Sequence, residues 1–156
     1  MDILALDFHD ASILAIRMSK GGDSVALEIE TRDRGRAVIQ ATGLKGFRAT
    51  DVGMQNVLSR GIFSRSTSMS SRAIGEMLDW LTSGGDGVSY LNNAARQRYS
   101  AEILSGELEL VVLEPSVGAE IVLLCTELTA RDSDTQETVG PFGEFIAQPT
   151  VIQRSI

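Results

Sequence analysis

The chain has 156 residues, enough for one domain that buries about 70% of the surface its unfolded form exposes and needs neither disulfide nor metal to fold. Forty-three percent of residues are hydrophobic and only 5% aromatic, so the core is built mostly from Leu, Ile, Val, Ala and Met, and the composition is not that of a disordered chain. A formal net charge of −7, with no basic stripe to offset it, argues against nucleic acid as a partner, and no run approaches the ~18 apolar residues of a membrane helix.

In chain order, Ala11 to Thr31 reads as a β-hairpin. Ser12, Leu14, Ile16 and Met18 alternate with Ile13, Ala15 and Arg17, and Lys20-Gly21-Gly22-Asp23 makes the turn. The return strand sets Val25, Leu27 and Ile29 against Ser24, Ala26, Glu28 and Glu30, the wet-and-dry pattern of an antiparallel sheet. A turn at Asp33-Arg34-Gly35 leads to a third strand, Arg36 to Thr42. Gly43 to Arg48 reads as a bend anchored by Phe47, and Met54 to Phe63 as a strand broken by Gly61. A Ser-rich loop precedes a helix over Arg72 to Thr82, where Ile74, Met77, Leu78 and Leu81 share one face. Ser70 or Ser71 can cap its start, and Gly84-Gly85 can end it. Leu91 to Tyr99 suggests a short second helix.

Glu107 to Glu114 and Glu120 to Thr129 form a second hairpin about Glu114-Pro115-Ser116-Val117-Gly118. The unbroken apolar run Ile121 to Cys125 suits a strand covered on both faces. After Arg131 the chain turns polar and ends in a tail with Pro141, Phe142, Phe145 and Pro149, expected to be irregular and docked by its phenylalanines or ordered by a neighbouring subunit. These elements predict an α+β fold: an antiparallel β-meander with one main helix packed on it and a C-terminal β-hairpin. One domain spans 1–156, with the meander at 1–63, the helical segment at 70–99, the hairpin at 106–130 and the tail at 131–156.

Chemistry has little to draw on, because the chain has one histidine and one cysteine. His9-Asp10 invites comparison with metal-holding His-Asp pairs, but those need further histidines that this sequence does not contain. The carboxylates Asp7, Asp10, Asp23, Asp33 and Asp51 lack the loop spacing of a calcium site. His9, Asp10 and Ser12 form a triad by residue type only, since neighbours on one segment do not line up nucleophile, base and orienter. Cys125 lies in an apolar run and reads as an inert buried thiol. Gly21-Gly22 and Gly84 to Gly87 lack the residues of a phosphate loop. Arg32, Arg34 and Arg36 alternate with Asp33 and Gly35 in a self-compensated turn. No metal, cofactor or catalytic group is expected; His9-Asp10 fixes the entry to the first strand, with Phe8 packed beneath.

The succession Phe8-His9-Asp10-Ala11, an alternating strand, a Gly turn, Val25-Ala26-Leu27-Glu28-Ile29, Val38-Ile39 and Gly43-Leu44-Lys45-Gly46-Phe47-Arg48 resembles small bacterial domains. Some of these are immunity proteins of polymorphic toxin systems, and in them a His-Asp-Ala/Ser step opens a β-meander. Gln55-Asn56-Val57-Leu58 is similar to a later strand of the same domains. The resemblance covers residues 6 to 63 and implies a non-catalytic protein that binds and blocks a cognate toxin. The acidity suits a basic target. The residues nominated for partner contact are His9, Asp10, Arg48, Asp51 and Arg60. The alternatives are a structural homo-oligomer or, ranking third, a hydrolase using carboxylates or His9. The expected location is the cytoplasm, since no basic-then-apolar leader is visible.

Overall fold

The return strand of the first hairpin shows how the pattern becomes structure. Val25, Leu27 and Ile29 are fully buried, while Glu28 and Glu30 lean outward. A computed structural model describes residues 1–84 and 86–133. Its strands are β1 (Ser12–Met18), β2 (Ser24–Thr31), β3 (Gly35–Thr42), β4 (Gly46–Thr50), β5 (Val57–Phe63), β6 (Glu109–Val117), β7 (Glu120–Cys125) and β8 (Glu127–Asp132). Its helices are α1 (Ser71–Leu81) and α2 (Asn93–Ser105), preceded by a 3-10 turn at Ile3–Ala5. The expected α+β balance is therefore corrected. Among the described residues the fold is one eight-stranded antiparallel sheet, ordered β4-β7-β6-β5-β1-β2-β3-β8, with both helices subsidiary to it.

The two ends of that sheet are covalently joined. β3 runs into β4 through 43–45, and β7 into β8 through Thr126. One bent ribbon results, in which Ala37 to Thr42 pair with Asp132 to Glu127 and Gly46 to Thr50 pair with Leu124 to Glu120. At the corner, Thr126 donates its backbone N–H to Thr42 O at 3.2 Å and Lys45 donates to Leu124 O at 2.8 Å. Gly43 turns there with φ +62°, and a Cβ at Gly43 would meet the Thr126 hydroxyl. The ribbon closes the sheet into a barrel, whose interior takes Ile13, Leu27, Ile39, Leu58, Leu113, Ile121, Leu123 and Leu128 from around the ring.

The seam between β1 and β5 is the thinnest part of the wall. Ser12 and Val57 are its one ladder pair, flanked by Ile13 N–H to Asn56 O and Leu58 N–H to Ala11 O. The N-terminal segment fills the gap with Ile3, Leu6 and Phe8. Phe8 lies 5.4 Å from the Phe63 ring and against Gly61, where a Cβ would come 3.1 Å from the Phe8 ring. Gly61 thus leaves room for an aromatic contact inside a continuous strand and does not break β5.

Both helices lie on the outer wall formed by β6 and β7. Ile74, Leu78 and Leu81 of α1 and Ile103 of α2 pack on Leu110, Val112, Val122 and Leu124. The alternate residues Val111, Leu113, Ile121 and Leu123 face the barrel interior, which explains the unbroken apolar run in β7. Ser70 caps α1 by accepting the Ala73 N–H, and Asn92 caps α2 by accepting the Ala95 N–H. The second helix is longer than its pattern suggests, 93–105, and ends at Gly106 in the left-handed conformation. β8 runs to Asp132, so part of the segment assigned to the tail is strand; the remainder of the tail lies outside the described residues.

Candidate functional site

Where β5 and β7 begin and β4 and β6 finish, the loop 51–56 meets the turn at Gly118-Ala119. Asn56 fastens the two. Its Oδ1 accepts the Gly53 N–H at 2.9 Å and the Ala119 N–H at 3.2 Å, and its Nδ2 donates to Gly53 O at 2.9 Å. Gly118, at φ +82°, lets the β6–β7 turn press against 55–56; a Cβ there would lie 2.2 Å from the Gln55 carbonyl oxygen.

The loop so held turns apolar side chains to solvent. Met54 is 105% exposed, Val52 58% and, on the adjacent strand end, Val117 53%. Acids surround them. Asp51 precedes Val52, and Glu120 sits opposite Thr50 in the ladder. Neither carries an ion pair among the described residues. Contiguous apolar patches rimmed by polar groups mark interaction surfaces, whereas scattered apolar groups are ordinary on a protein surface.

His9 and Asp10 lie elsewhere, where the chain enters β1 alongside β5: the Asp10 N–H donates to Leu58 O at 3.0 Å. His9 Nδ1 is 3.1 Å from Asp10 Oδ2, which also takes Arg32 at 3.2 Å, and the His9 N–H donates to Asp7 Oδ1 at 2.9 Å. The His9 side chain is 72% exposed, so it lies on an open surface with no enclosing cavity. Asp10 and Asp51 are the described non-glycine residues with positive φ, 60° and 55°. Asp tolerates that region through local hydrogen bonding better than most residues, yet it remains sparsely populated.

Of the residues nominated from sequence, Asp51 belongs to the 51–56 loop, while His9 and Asp10 lie beside β5 and Arg32. Arg60 lies on the outer wall of β5, bound bidentately to Glu114 at 2.6 and 3.0 Å, and this pairing raises its pKa further. Arg48 is elsewhere. It reaches from β4 to the C-terminus of α1, stacks 4.4 Å above the Trp80 ring, and donates to the carbonyls of Trp80 and Ser83 and to the Ser83 hydroxyl. The last turn of α1 has no basic residue of its own, so Arg48 supplies the cation that a helix C-terminus favours. Sequence reasoning missed Val52, Met54, Val117 and Glu120. The available signal was apolar residues set among Asp, Gly, Gln and Asn, the composition of a turn and not of a strand.

Two other places in the molecule offer less. A groove of about 520 Å³ between α1 and α2 is lined by Arg72, Glu76, Arg96, Gln97, Ala101 and Leu104. Its charges include the pairs Arg72 with Glu76 and Arg96 with Asp79, while the Arg96 Nε is buried without a hydrogen-bond partner among the described residues. Cys125 is fully buried, and its thiol pKa is pushed up to about 12 by burial and then by the Glu109 charge, so it is not a nucleophile at neutral pH. Among the described residues no three His, Cys, Asp or Glu side chains converge as metal ligands, and no helix is long and apolar enough to cross a membrane. Comparison with family models, curated proteins and solved structures gives no match.

Proposed function

We propose that this chain is a non-catalytic protein-binding domain, an immunity-type inhibitor that engages a basic toxin through the loop-bearing end of its barrel. The observation that carries this reading is solvent-facing Met54, Val52 and Val117 near Asp51 and Glu120, carboxylates with no ion pair among the described residues. Such a surface offers apolar area for affinity and negative charge for steering and partner choice. The net charge of −7 extends the same field over the molecule.

The test is recovery of the full chain from its own cells, followed by co-expression with the recovered protein. The reading expects one stoichiometric basic partner, released progressively by salt, whose toxicity to the host is relieved by this chain. A chain that travels alone at its monomer mass, or a partner that is acidic and insensitive to salt, contradicts it.

A further inference from the structure

Resting on that reading, we infer that Met54 is the apolar anchor of the contact, and that it inserts into an apolar socket ringed by Lys or Arg on the partner. Several observations converge on this side chain. It is the most exposed large hydrophobic group among the described residues. A fully solvated Met contributes nothing to the barrel core, so folding does not explain its position. The loop carrying it is not left free. Asn56 ties Gly53 to the β6–β7 turn with three hydrogen bonds, and Gly118 closes against Gln55 at a distance no other residue allows.

A long apolar side chain held outward by a fixed loop has part of its ordering cost already met before binding, the condition under which one residue dominates an interface. Asp51, at φ 55° directly before Val52, lies in the same loop, and Glu120 pairs across the ladder with Thr50 at its start. Carboxylates that carry no ion pair among the described residues select cations on the other side. Methionine suits such a socket because its flexible thioether adapts to the shape it meets. Asn56 is then a positioning residue: it touches no partner and acts through the loop.

The experiment places a photo-crosslinking amino acid at position 54 of the full chain, with a second protein carrying it at position 104 of α2, and irradiates both in the source cells. The inference expects an adduct with a basic protein from position 54 and not from 104. Binding of that protein to the purified chain then falls about 30-fold in Met54→Ala, the loss typical of an interface hot spot. It falls about tenfold in Asn56→Ala and is partly restored in Asn56→Asp, which keeps the acceptor oxygen, while thermal unfolding of Met54→Ala is unchanged. A partner that binds Met54→Ala as tightly as the parent, or crosslinks only from position 104, overturns the anchor and leaves the binding function standing. Recovery of no partner by the parent chain overturns both.

Discussion

Asp10 and Asp51 hold backbone conformations that cost an L-residue of order 1–3 kcal/mol unless the surroundings impose them. Asp10 is tied in place by its N–H to Leu58 O and by Arg32, whereas Asp51 has no such partner among the described residues, so its strain is the easier to probe. Asp51→Gly is expected to leave stability unchanged or raise it, while weakening partner binding. Asp51→Val is expected to lose about 1–2 kcal/mol. Parallel urea unfolding and binding measurements separate the two effects. Cys125 gives a second residue-scale prediction. Its folded pKa, about 12, lies above that of an unfolded thiol, ~8.5. The thiol therefore places no penalty on the fold below the unfolded value, and stability falls as pH rises from there towards 12. Iodoacetamide should label Cys125 in denaturant and leave the native protein unmodified at pH 8. Labelling of the native protein at the free-thiol rate contradicts the burial. This burial was legible from the Ile121–Cys125 run, because neighbours on both faces of a strand leave a thiol no route to water.

The elements divide by how local their signals are. The start of α1 was readable because both its apolar stripe and its cap lie within the segment; Ser70→Ala should cost about 1 kcal/mol, measured as a shift of the urea midpoint at constant slope. β1 departs from strict alternation. A bulge between Ile13 and Ala15 shifts its register, so Leu14 turns out to solvent at 42% exposure while Ile13 enters the core. β4 escaped notice because Gly43 to Arg48 carries turn residues. Its strand state comes from pairing with β7, a partner more than 70 residues away in sequence. The return strand read as Glu120 to Thr129 is two strands, divided at Thr126 where the ribbon bends. Gly118 is the element-scale position with the sharpest consequence. Gly118→Ala places a Cβ on the Gln55 carbonyl at a positive φ, and should destabilise by about 2 kcal/mol or more while loosening the 51–56 loop. Unchanged unfolding would show that this turn is not held as described.

At the scale of the whole molecule, closure of the sheet explains why a chain with so few aromatic residues can form an interior. Small and branched side chains from around the ring fill it, and the helices need bury only the outer wall of β6 and β7. The same closure sets the 51–56 loop against the β6–β7 turn, leaves His9-Asp10 beside β5, and carries Arg48 away to brace α1. No pattern within a single segment could have separated those destinations, since they follow from strand order. What the sequence did convey was the scarcity of imidazole and thiol and the excess of carboxylate, and both fit a surface that binds without catalysis. Hydrogen–deuterium exchange of the full chain, free and saturated with its recovered partner, tests that account most directly. Protection should appear in 51–56 and 117–120, with no change along α1 and α2; protection confined to the two helices, with the 51–56 loop exchanging as in the free protein, would contradict it.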